Sequence, residues 1–136
     1  MTFRFPSDEW IKAMAEKVNE SDAYRKSALK WEGDFYFICE PGPGLEEKVV
    51  LYIDLWHGDA RDAYEVADEG DMDPEFVIRA PVNTWRRVIE KKLDPIQGMI
   101  TGQLKLSGTM SKIMRFPKAA SELVNCATKV PTEFPT

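Results

Sequence analysis

Residue types that commonly act in catalysis or metal binding are scarce in this sequence. Its 136 residues include one histidine and two cysteines, and the G-x-S-x-G pattern of many serine hydrolases is absent. Cys39 and Cys126 lie far apart, and two cysteines do not make a disulfide framework. We therefore interpret both as free, buried thiols of a cytoplasmic protein.

The sequence also lacks long apolar segments and an excess of positive charge. No apolar run approaches the roughly 20 residues of a membrane-spanning helix, and the N-terminal residues MTFRFPSDEW have early acids instead of the apolar stretch of a secretory signal. The net charge is -5, so the chain repels phosphate backbones and nucleic acid is not an expected partner. The composition, 43% hydrophobic and 30% charged, predicts one folded domain over residues 1–136.

A small basic cluster stands out against the acidic balance. It consists of Arg86, Arg87, Lys91 and Lys92, on the polar face of a predicted helix. One interpretation is an ordinary solvated face. The alternative is transient contact with an anionic membrane, to which each basic residue near the surface contributes about 1 kcal/mol.

Two further polar features have a functional alternative. His57 could act as a general base beside Asp54 or Asp59, but a catalytic triad also needs a nucleophile and an oxyanion site. The acidic segment DEGDMDPE, residues 68–75, has the carboxylates of a calcium loop without the EF-hand spacing. We interpret His57 as a turn residue and the acidic segment as a solvated loop.

The N-terminal half predicts one helix followed by four strands. Residues 7–20 have helical periodicity, with Ser7 as the N-cap. The apolar face of this helix consists of Trp10, Ile11, Met14 and Val18. Alternating patterns then predict strands near 29–39, 48–56, 61–67 and 75–80. Because their connections are short, we expect an antiparallel meander.

The C-terminal half predicts helices around one more strand. A helix over 82–92 has an apolar face made of Val82, Trp85, Val88, Ile89 and Leu93. The segment LDPIQGMITG leads into a short helix, and residues 103–107 alternate as a fifth strand. Thr109 can cap a final helix, which we expect to kink or break at Pro117. The last residues, PTEFPT, are expected to fray.

The segment KKLDPIQGMITGQLKLSGTMSKIMR, residues 91–115, resembles the signature region of the sterol carrier protein 2 family. That region has a Gly-Lys-Leu-Asp-Pro-like step, an apolar helix, Gly-x-Leu-x-x-x-Gly and a methionine-rich helix. The matching residues are Leu93, Asp94, Pro95, Gly102, Leu104, Gly108, Met110 and Met114. The order of elements extends the similarity to about residues 28–125. The chain departs from the pattern in having Lys-Lys before Leu93, and it ends in Glu-Phe-Pro-Thr instead of a peroxisomal tripeptide.

The resemblance implies an α/β (α+β) fold with a five-stranded, mostly antiparallel sheet, covered by helices that enclose an apolar tunnel. It also implies a non-enzymatic protein, without cofactor or metal, that binds, and could transfer, a fatty acid, fatty acyl-CoA, sterol-like or other apolar ligand. Carried over by position and by face, the tunnel lining would be Trp31, Phe35, Phe37, Trp85, Met99, Ile100, Leu104, Leu106, Met110, Ile113 and Met114. The alternative is an interaction, homodimerisation or substrate-presenting module of a larger enzyme system. In that case the sheet face carrying Val50, Tyr52 and Trp56 would be the interface.

Overall fold

The computed structural model describes all 136 residues and contains six α-helices and seven β-strands. The helices are α1 (Asp8–Glu20), α2 (Asp22–Ser27), α3 (Val82–Ile89), α4 (Pro95–Thr101), α5 (Met110–Met114) and α6 (Pro117–Thr128). The strands are β1 (Phe3–Arg4), β2 (Glu32–Glu40), β3 (Val49–Trp56), β4 (Asp59–Val66), β5 (Phe76–Pro81), β6 (Lys105–Ser107) and β7 (Thr132–Glu133).

Five of the strands form one mostly antiparallel sheet in the order β4-β3-β2-β5-β6. This confirms the fold class expected from the sequence. The expectation of a four-stranded antiparallel meander is wrong for its last member, because β5 pairs with β2 in parallel. The chain leaves β4 at one edge and crosses β3 and β2 before it enters β5. A parallel neighbour requires such a crossover.

The crossing segment, residues 67–75, covers the outer face of the sheet, which is the face that carries Tyr36, Tyr52 and Tyr64. The Tyr36 hydroxyl donates to the Met72 carbonyl oxygen at 3.3 Å and accepts from the Met72 N–H at 3.0 Å. Asp34 Oδ1 accepts from the Glu75 N–H at 2.7 Å. The outer face is therefore closed by a loop that hydrogen-bonds to the strands beneath it.

The opposite face, here called the inner face, carries the main core and is covered by helices. Alternation places Leu51, Ile53 and Leu55 of β3 on this face, and all three are buried. Helix α1 packs on β4 and β3, while α6 contacts α1, α2, α3, α4 and α5. Helix α6 thus lies at the centre of the helical layer, above the inner face.

Local signals set several element boundaries. Ser7 Oγ accepts from the Trp10 N–H at 3.1 Å, which confirms the predicted N-cap of α1. Pro117 separates α5 from α6 and occupies the first turn of α6, where a missing N–H costs nothing. Thr109 precedes α5 but its side chain forms no capping hydrogen bond. Gly108 has a φ of 130°, and a Cβ there would lie 2.5 Å from Phe76 Cδ1, so glycine is required at this reversal.

The C-terminal segment is ordered by contacts with the other end of the chain. The expected fraying of PTEFPT is wrong, because β7 pairs in parallel with β1. The Phe134 ring lies 5.9 Å from the Phe5 ring, and the Arg86 guanidinium stacks 4.7 Å above Phe134. Local sequence carries no signal for a strand whose partner lies at the opposite end of the chain.

Candidate functional site

An apolar cavity lies between the inner face and the helical layer. Its volume is about 110 Å³, and 23 of its 24 lining residues are hydrophobic. The lining residues are Phe5, Trp10, Met14, Tyr24, Trp31, Phe35, Phe37, Cys39, Leu51, Leu55, Ile78, Trp85, Val88, Ile89, Pro95, Met99, Leu104, Ile113, Phe116, Ala119, Ala120, Leu123, Val124 and Ala127. No charged residue is among them, so the cavity can accommodate hydrocarbon but cannot compensate a charge.

Two periodicities bring these residues together. On β2 the alternate residues Phe35, Phe37 and Cys39 face the cavity, since successive strand residues point to opposite sides. On α6 the lining residues recur at helical spacing and include three alanines. Alanine leaves more space opposite the sheet than a leucine or phenylalanine would.

Aromatic rings form the floor of the cavity. Trp31 stacks on Phe35 at 5.7 Å, and Phe35 stacks on Phe76 at 5.2 Å. Phe116, at the α5–α6 junction, meets Trp31 edge-on at 5.2 Å. Trp85 approaches Phe37 at 5.4 Å. Each such pair contributes about 0.5–1.5 kcal/mol of stability beyond the burial of its rings, so aromatic contacts stabilise this side of the cavity.

The indole N–H groups around the cavity are all hydrogen-bonded within the protein. Trp10 donates to Thr132 Oγ1 at 2.9 Å, Trp31 to the Gly33 carbonyl at 3.0 Å, and Trp85 to the Ile38 carbonyl at 2.9 Å. A bonded indole presents an apolar ring and no free donor. The tryptophans therefore contribute surface to the cavity without adding polarity.

The structure brings together seven of the eleven residues that the sequence placed in the lining. They are Trp31, Phe35, Phe37, Trp85, Met99, Leu104 and Ile113. Whether they touch a ligand stays a prediction.

The other four, Ile100, Leu106, Met110 and Met114, do not line the cavity. Ile100 is 56% exposed and Met114 is 47% exposed. Helix α5 has only five residues, so Ile113 is its one buried side chain.

Sequence reasoning missed the contribution of the N-terminal segments. Trp10 and Met14, on the apolar face of α1, line the cavity together with Phe5 and Tyr24. The i, i+4 spacing of Trp10 and Met14 marked them as buried, but nothing local showed that they face the same space as the sheet aromatics. Helix α2, which carries Tyr24, was not predicted.

His57 has no catalytic geometry. Its Nε2 lies 2.5 Å from Glu32 Oε2, and its ring stacks on Trp56 at 5.4 Å. The two candidate partners are engaged elsewhere, since Asp54 pairs with Arg61 and Asp59 with Arg25. His57 has a positive φ of 51° and precedes Gly58 in the turn between β3 and β4.

The acidic segment is tied to cations of the protein itself. Glu69 bonds Arg79 at 2.7 Å and Lys48 at 2.6 Å. The Arg79 hydrogen bond, assisted by that of Lys48, lowers the pKa of Glu69 to about 2. No cluster of three or more potential ligand side chains gathers there. The interpretation as a simply solvated loop is thus incomplete, because this segment is part of the outer-face packing.

Both cysteines are free and buried, as the sequence predicts. Cys39 lies in the cavity wall, and burial raises the pKa of its thiol well above the usual value. Burial also raises the pKa of the Cys126 thiol. Neither residue has the electropositive, accessible surroundings of a reactive cysteine.

The predicted basic cluster is partly neutralised by the carboxylate of Glu90. Arg86 Nε lies 3.1 Å from Glu90 Oε2, and Lys92 Nζ lies 3.5 Å from Glu90 Oε1. Arg87 hydrogen-bonds to Gln103 at 3.1 Å, and Lys91 is exposed. Two of the four cations are therefore paired with a carboxylate of the protein itself.

The face proposed for an interface is largely covered within the chain. Val50 is 3% exposed and Tyr52 is 6% exposed. Trp56 is half-buried, beneath the guanidinium of Arg61 at 4.4 Å. The reason is the crossing segment 67–75, which the sequence places in a loop without showing where that loop packs.

The comparison with family models decides the relationship. The model of the SCP-2 sterol transfer family matches residues 35–121. The chain belongs to this family. The match extends beyond residues 91–115, which carry the resemblance, and includes strands beneath the cavity. It confirms the sterol carrier protein 2 relationship expected from the sequence.

Two solved structures are similar to this one over most of their length. A crystal structure of sterol carrier protein 2 is 39% identical with a TM-score of 0.82, covering 91% of this chain and 97% of its own. A solution structure of a conserved hypothetical protein from Thermus thermophilus is 38% identical with a TM-score of 0.83, covering 92% of this chain and 88% of its own. No curated protein sequence matches the chain.

A more distant likeness concerns the fold alone. The sec-alkylsulfatase Pisa1 from Pseudomonas sp. is 17% identical with a TM-score of 0.50, and the match covers 68% of this chain and 13% of that enzyme.

The fold of the SCP-2 family is a lipid-binding, non-catalytic one. Membership thus supports lipid binding or transfer as the general function. No helix of this protein is long and apolar enough to cross a membrane.

Proposed function

We propose that the protein binds the apolar part of a lipid in the central cavity, between the inner face and α6, and transfers it without chemical change. The candidates are a fatty acid, a fatty acyl-CoA or a sterol-like lipid. The observation that carries this proposal is the lining, in which 23 of 24 residues are hydrophobic. Burial of a lipid chain there yields on the order of 0.8 kcal/mol per CH₂.

The size of the cavity requires the protein to adapt. Its volume of about 110 Å³ is below the roughly 300–1,000 Å³ of typical ligand pockets. The floor consists of hydrogen-bonded strands and stacked rings, so the movable wall is the helical layer. Helix α6 faces the cavity with small side chains, and no side chain caps its start at Phe116 and Pro117. An outward shift of α6 about this junction would admit a longer chain.

The proposal is tested by filling the cavity from α6. Ala120 lines the cavity and is half-buried, so Ala120→Phe places a ring in the space proposed for the lipid. Ala23, on α2, is exposed and provides the control Ala23→Phe. The probes are cis-parinaric acid and dehydroergosterol, titrated by fluorescence, with native mass spectrometry of the purified protein to detect a lipid that co-purifies.

We expect saturable, one-to-one binding of at least one probe. Ala120→Phe should weaken that binding about tenfold or more, which corresponds to roughly 1.4 kcal/mol, and Ala23→Phe should not. A thermal melt of each variant shows that it is folded, since overpacking costs about 1–3 kcal/mol. The proposal is wrong if neither probe binds and no lipid co-purifies, or if both variants bind as the unaltered protein does.

A further inference from the structure

The cavity contains one strong hydrogen-bonding group that the protein does not use. Tyr24 lines the cavity and is 2% exposed, and its hydroxyl forms no hydrogen bond to any protein atom. Only its backbone is engaged, through the N–H to Ser21 Oγ and the carbonyl to Ser27 Oγ. The three cavity indoles differ, because each donates to a protein oxygen.

The free hydroxyl has open space beside it. The side-chain nitrogen and oxygen atoms that are completely enclosed without a partner are Arg25 Nε and Asn125 Oδ1, and the Tyr24 hydroxyl is not one of them. Tyr24 is 2% exposed and lines the cavity, so the cavity is the enclosed space that this side chain adjoins. Burial also raises the pKa of Tyr24, so the group stays protonated and able to donate.

Leaving such a group without a partner costs free energy, because a buried donor that loses its hydrogen bond to water must regain one elsewhere. Cys39 is the other cavity residue with an unengaged polar atom, but a thiol is a weak donor and a weak acceptor. No other side chain around the cavity offers a free donor. Tyr24 is therefore the one lining side chain with a strong free donor for a hydrogen bond to the polar part of a ligand.

The same lining decides which polar group fits. A carboxylate or phosphate inside the cavity would have no cation to pair with, because the lining contains no charged residue. A buried ion without a partner is strongly disfavoured. An uncharged hydroxyl, ketone or ester oxygen has no such penalty and needs one hydrogen bond, which the Tyr24 hydroxyl can supply.

We propose that the Tyr24 hydroxyl binds an uncharged oxygen of the lipid within the cavity, so that the site prefers neutral, oxygen-bearing lipids over those whose charged group would have to enter. This inference rests on the proposed function and names the ligand class of the same cavity. A charged lipid remains able to bind with its chain inside and its headgroup outside, and Tyr24 then has no part in binding it.

The test compares three twelve-carbon ligands on the full-length protein: dodecanol, dodecane and dodecanoate. Each displaces cis-parinaric acid from the unaltered protein, from Tyr24→Phe and from Tyr64→Phe. Tyr24→Phe removes only the hydroxyl. Tyr64→Phe is the matched control, because its hydroxyl contacts Met72 Sδ at 3.3 Å on the outer face.

We expect Tyr24→Phe to weaken the binding of dodecanol about three- to tenfold. The affinities for dodecane and dodecanoate should stay within about twofold of those of the unaltered protein. Tyr64→Phe should leave all three unchanged. Free of ligand, Tyr24→Phe should melt at or above the temperature of the unaltered protein, since it removes an unpaired buried hydroxyl.

Each other outcome overturns the inference in a distinct way. Equal weakening of dodecanol and dodecane would show that Tyr24 acts through its ring, and equal weakening of dodecanoate would show that the cavity admits the charge. A clear drop in melting temperature would show that the hydroxyl already has a partner in the protein. If dodecane and dodecanol bind while Tyr24→Phe changes neither, only this inference fails. If none of the three ligands displaces the probe, this inference fails while the proposed function stands, because the bound probe is itself a lipid. If the probe does not bind at all and no lipid co-purifies, the proposed function fails as well.

Discussion

The two faces of the sheet are closed in different ways. On the outer face, Tyr36, Tyr52 and Tyr64 all have bonded hydroxyls, to Met72, Asp34 and the Met72 sulfur. On the inner face, the space is bounded by rings and aliphatic side chains, and the one tyrosine hydroxyl there is unpaired. The same strands therefore carry a layer held by hydrogen bonds on the outer face and a layer held by apolar contacts on the inner face.

This difference separates stability from function. Directional hydrogen bonds fix the crossing segment in one position, because displacing it would leave buried groups without partners. On the inner face, little free energy is lost when contacts with a hydrocarbon chain replace contacts with an apolar side chain. A lipid-binding protein needs one cavity wall that can move and a scaffold that stays fixed. The contacts on the inner face permit such movement, and the hydrogen bonds on the outer face fix the scaffold.

The largest effect is expected from damage to the aromatic floor of the cavity. Phe76 of β5 is fully buried and stacks on Phe35 at 5.2 Å. Phe76→Ala should lower the free energy of unfolding by about 3–5 kcal/mol, because it removes a large side chain and leaves a cavity that the sheet cannot close. Urea denaturation measures this. A loss below about 1 kcal/mol would contradict the assignment of a rigid floor.

An intermediate effect is expected where one hydroxyl is removed from the outer face. Tyr36→Phe leaves the Met72 N–H without its acceptor, which should destabilise the protein by about 1–3 kcal/mol. The matched change on the inner face, Tyr24→Phe, should cost nothing. Thermal melts of the two variants measure the contrast directly. Equal losses in both would remove the distinction between the faces.

The smallest effect is expected from the charges that hold the crossing segment, and it depends on pH. In the folded protein the pKa of Glu69 is about 2, against an ordinary value of 4.5. A lowered folded-state pKa stabilises the fold above the ordinary value, and this stabilisation is lost as the pH falls through the range from 4.5 to about 2.

Glu69→Gln should therefore be less stable than the unaltered protein at about pH 7, and the difference should shrink toward about pH 2. The side chain of Glu69 is 31% exposed, so the difference is expected to be modest. Urea denaturation of both proteins across this range measures it. A difference that is independent of pH would mean that the carboxylate charge is not what holds the segment.

Much of the fold was predictable from local pattern. Period-two alternation predicted strands close to β2, β3 and β5, and Pro117 marked the break between α5 and α6. The pairing of β5 with β2 was not predictable, because the short connection between β4 and β5 permits a hairpin or a crossover. The crossover is favoured by hydrogen bonds of Met72 to Tyr36 and of Glu75 to Asp34 on the outer face. These partners are separated by 36 and 41 positions in the sequence, so local pattern does not show them.

The site was predictable in part for a related reason. Phe35, Phe37 and Trp85, whose faces are set by longer elements, lie in the cavity wall, and their contact with a ligand stays a prediction. Met110 and Met114 lie outside the cavity wall, because a five-residue helix presents only one side chain inward. Tyr24 was missed altogether, since neither burial nor an unpaired hydroxyl can be recognised without the three-dimensional arrangement of α2 and α6.

The central claim is that a lipid chain occupies the inner face of the sheet, and the four tryptophans report on it. Trp10, Trp31 and Trp85 line the cavity, whereas Trp56 lies outside it beside His57 and Arg61. The measurement is an isotope-filtered NOE experiment on the protein with ¹³C-labelled dodecanol. We predict contacts from the labelled methylenes to the indole protons of the three cavity tryptophans and none to Trp56. Contacts to Trp56 alone, or to no tryptophan in a saturated complex, would contradict the account.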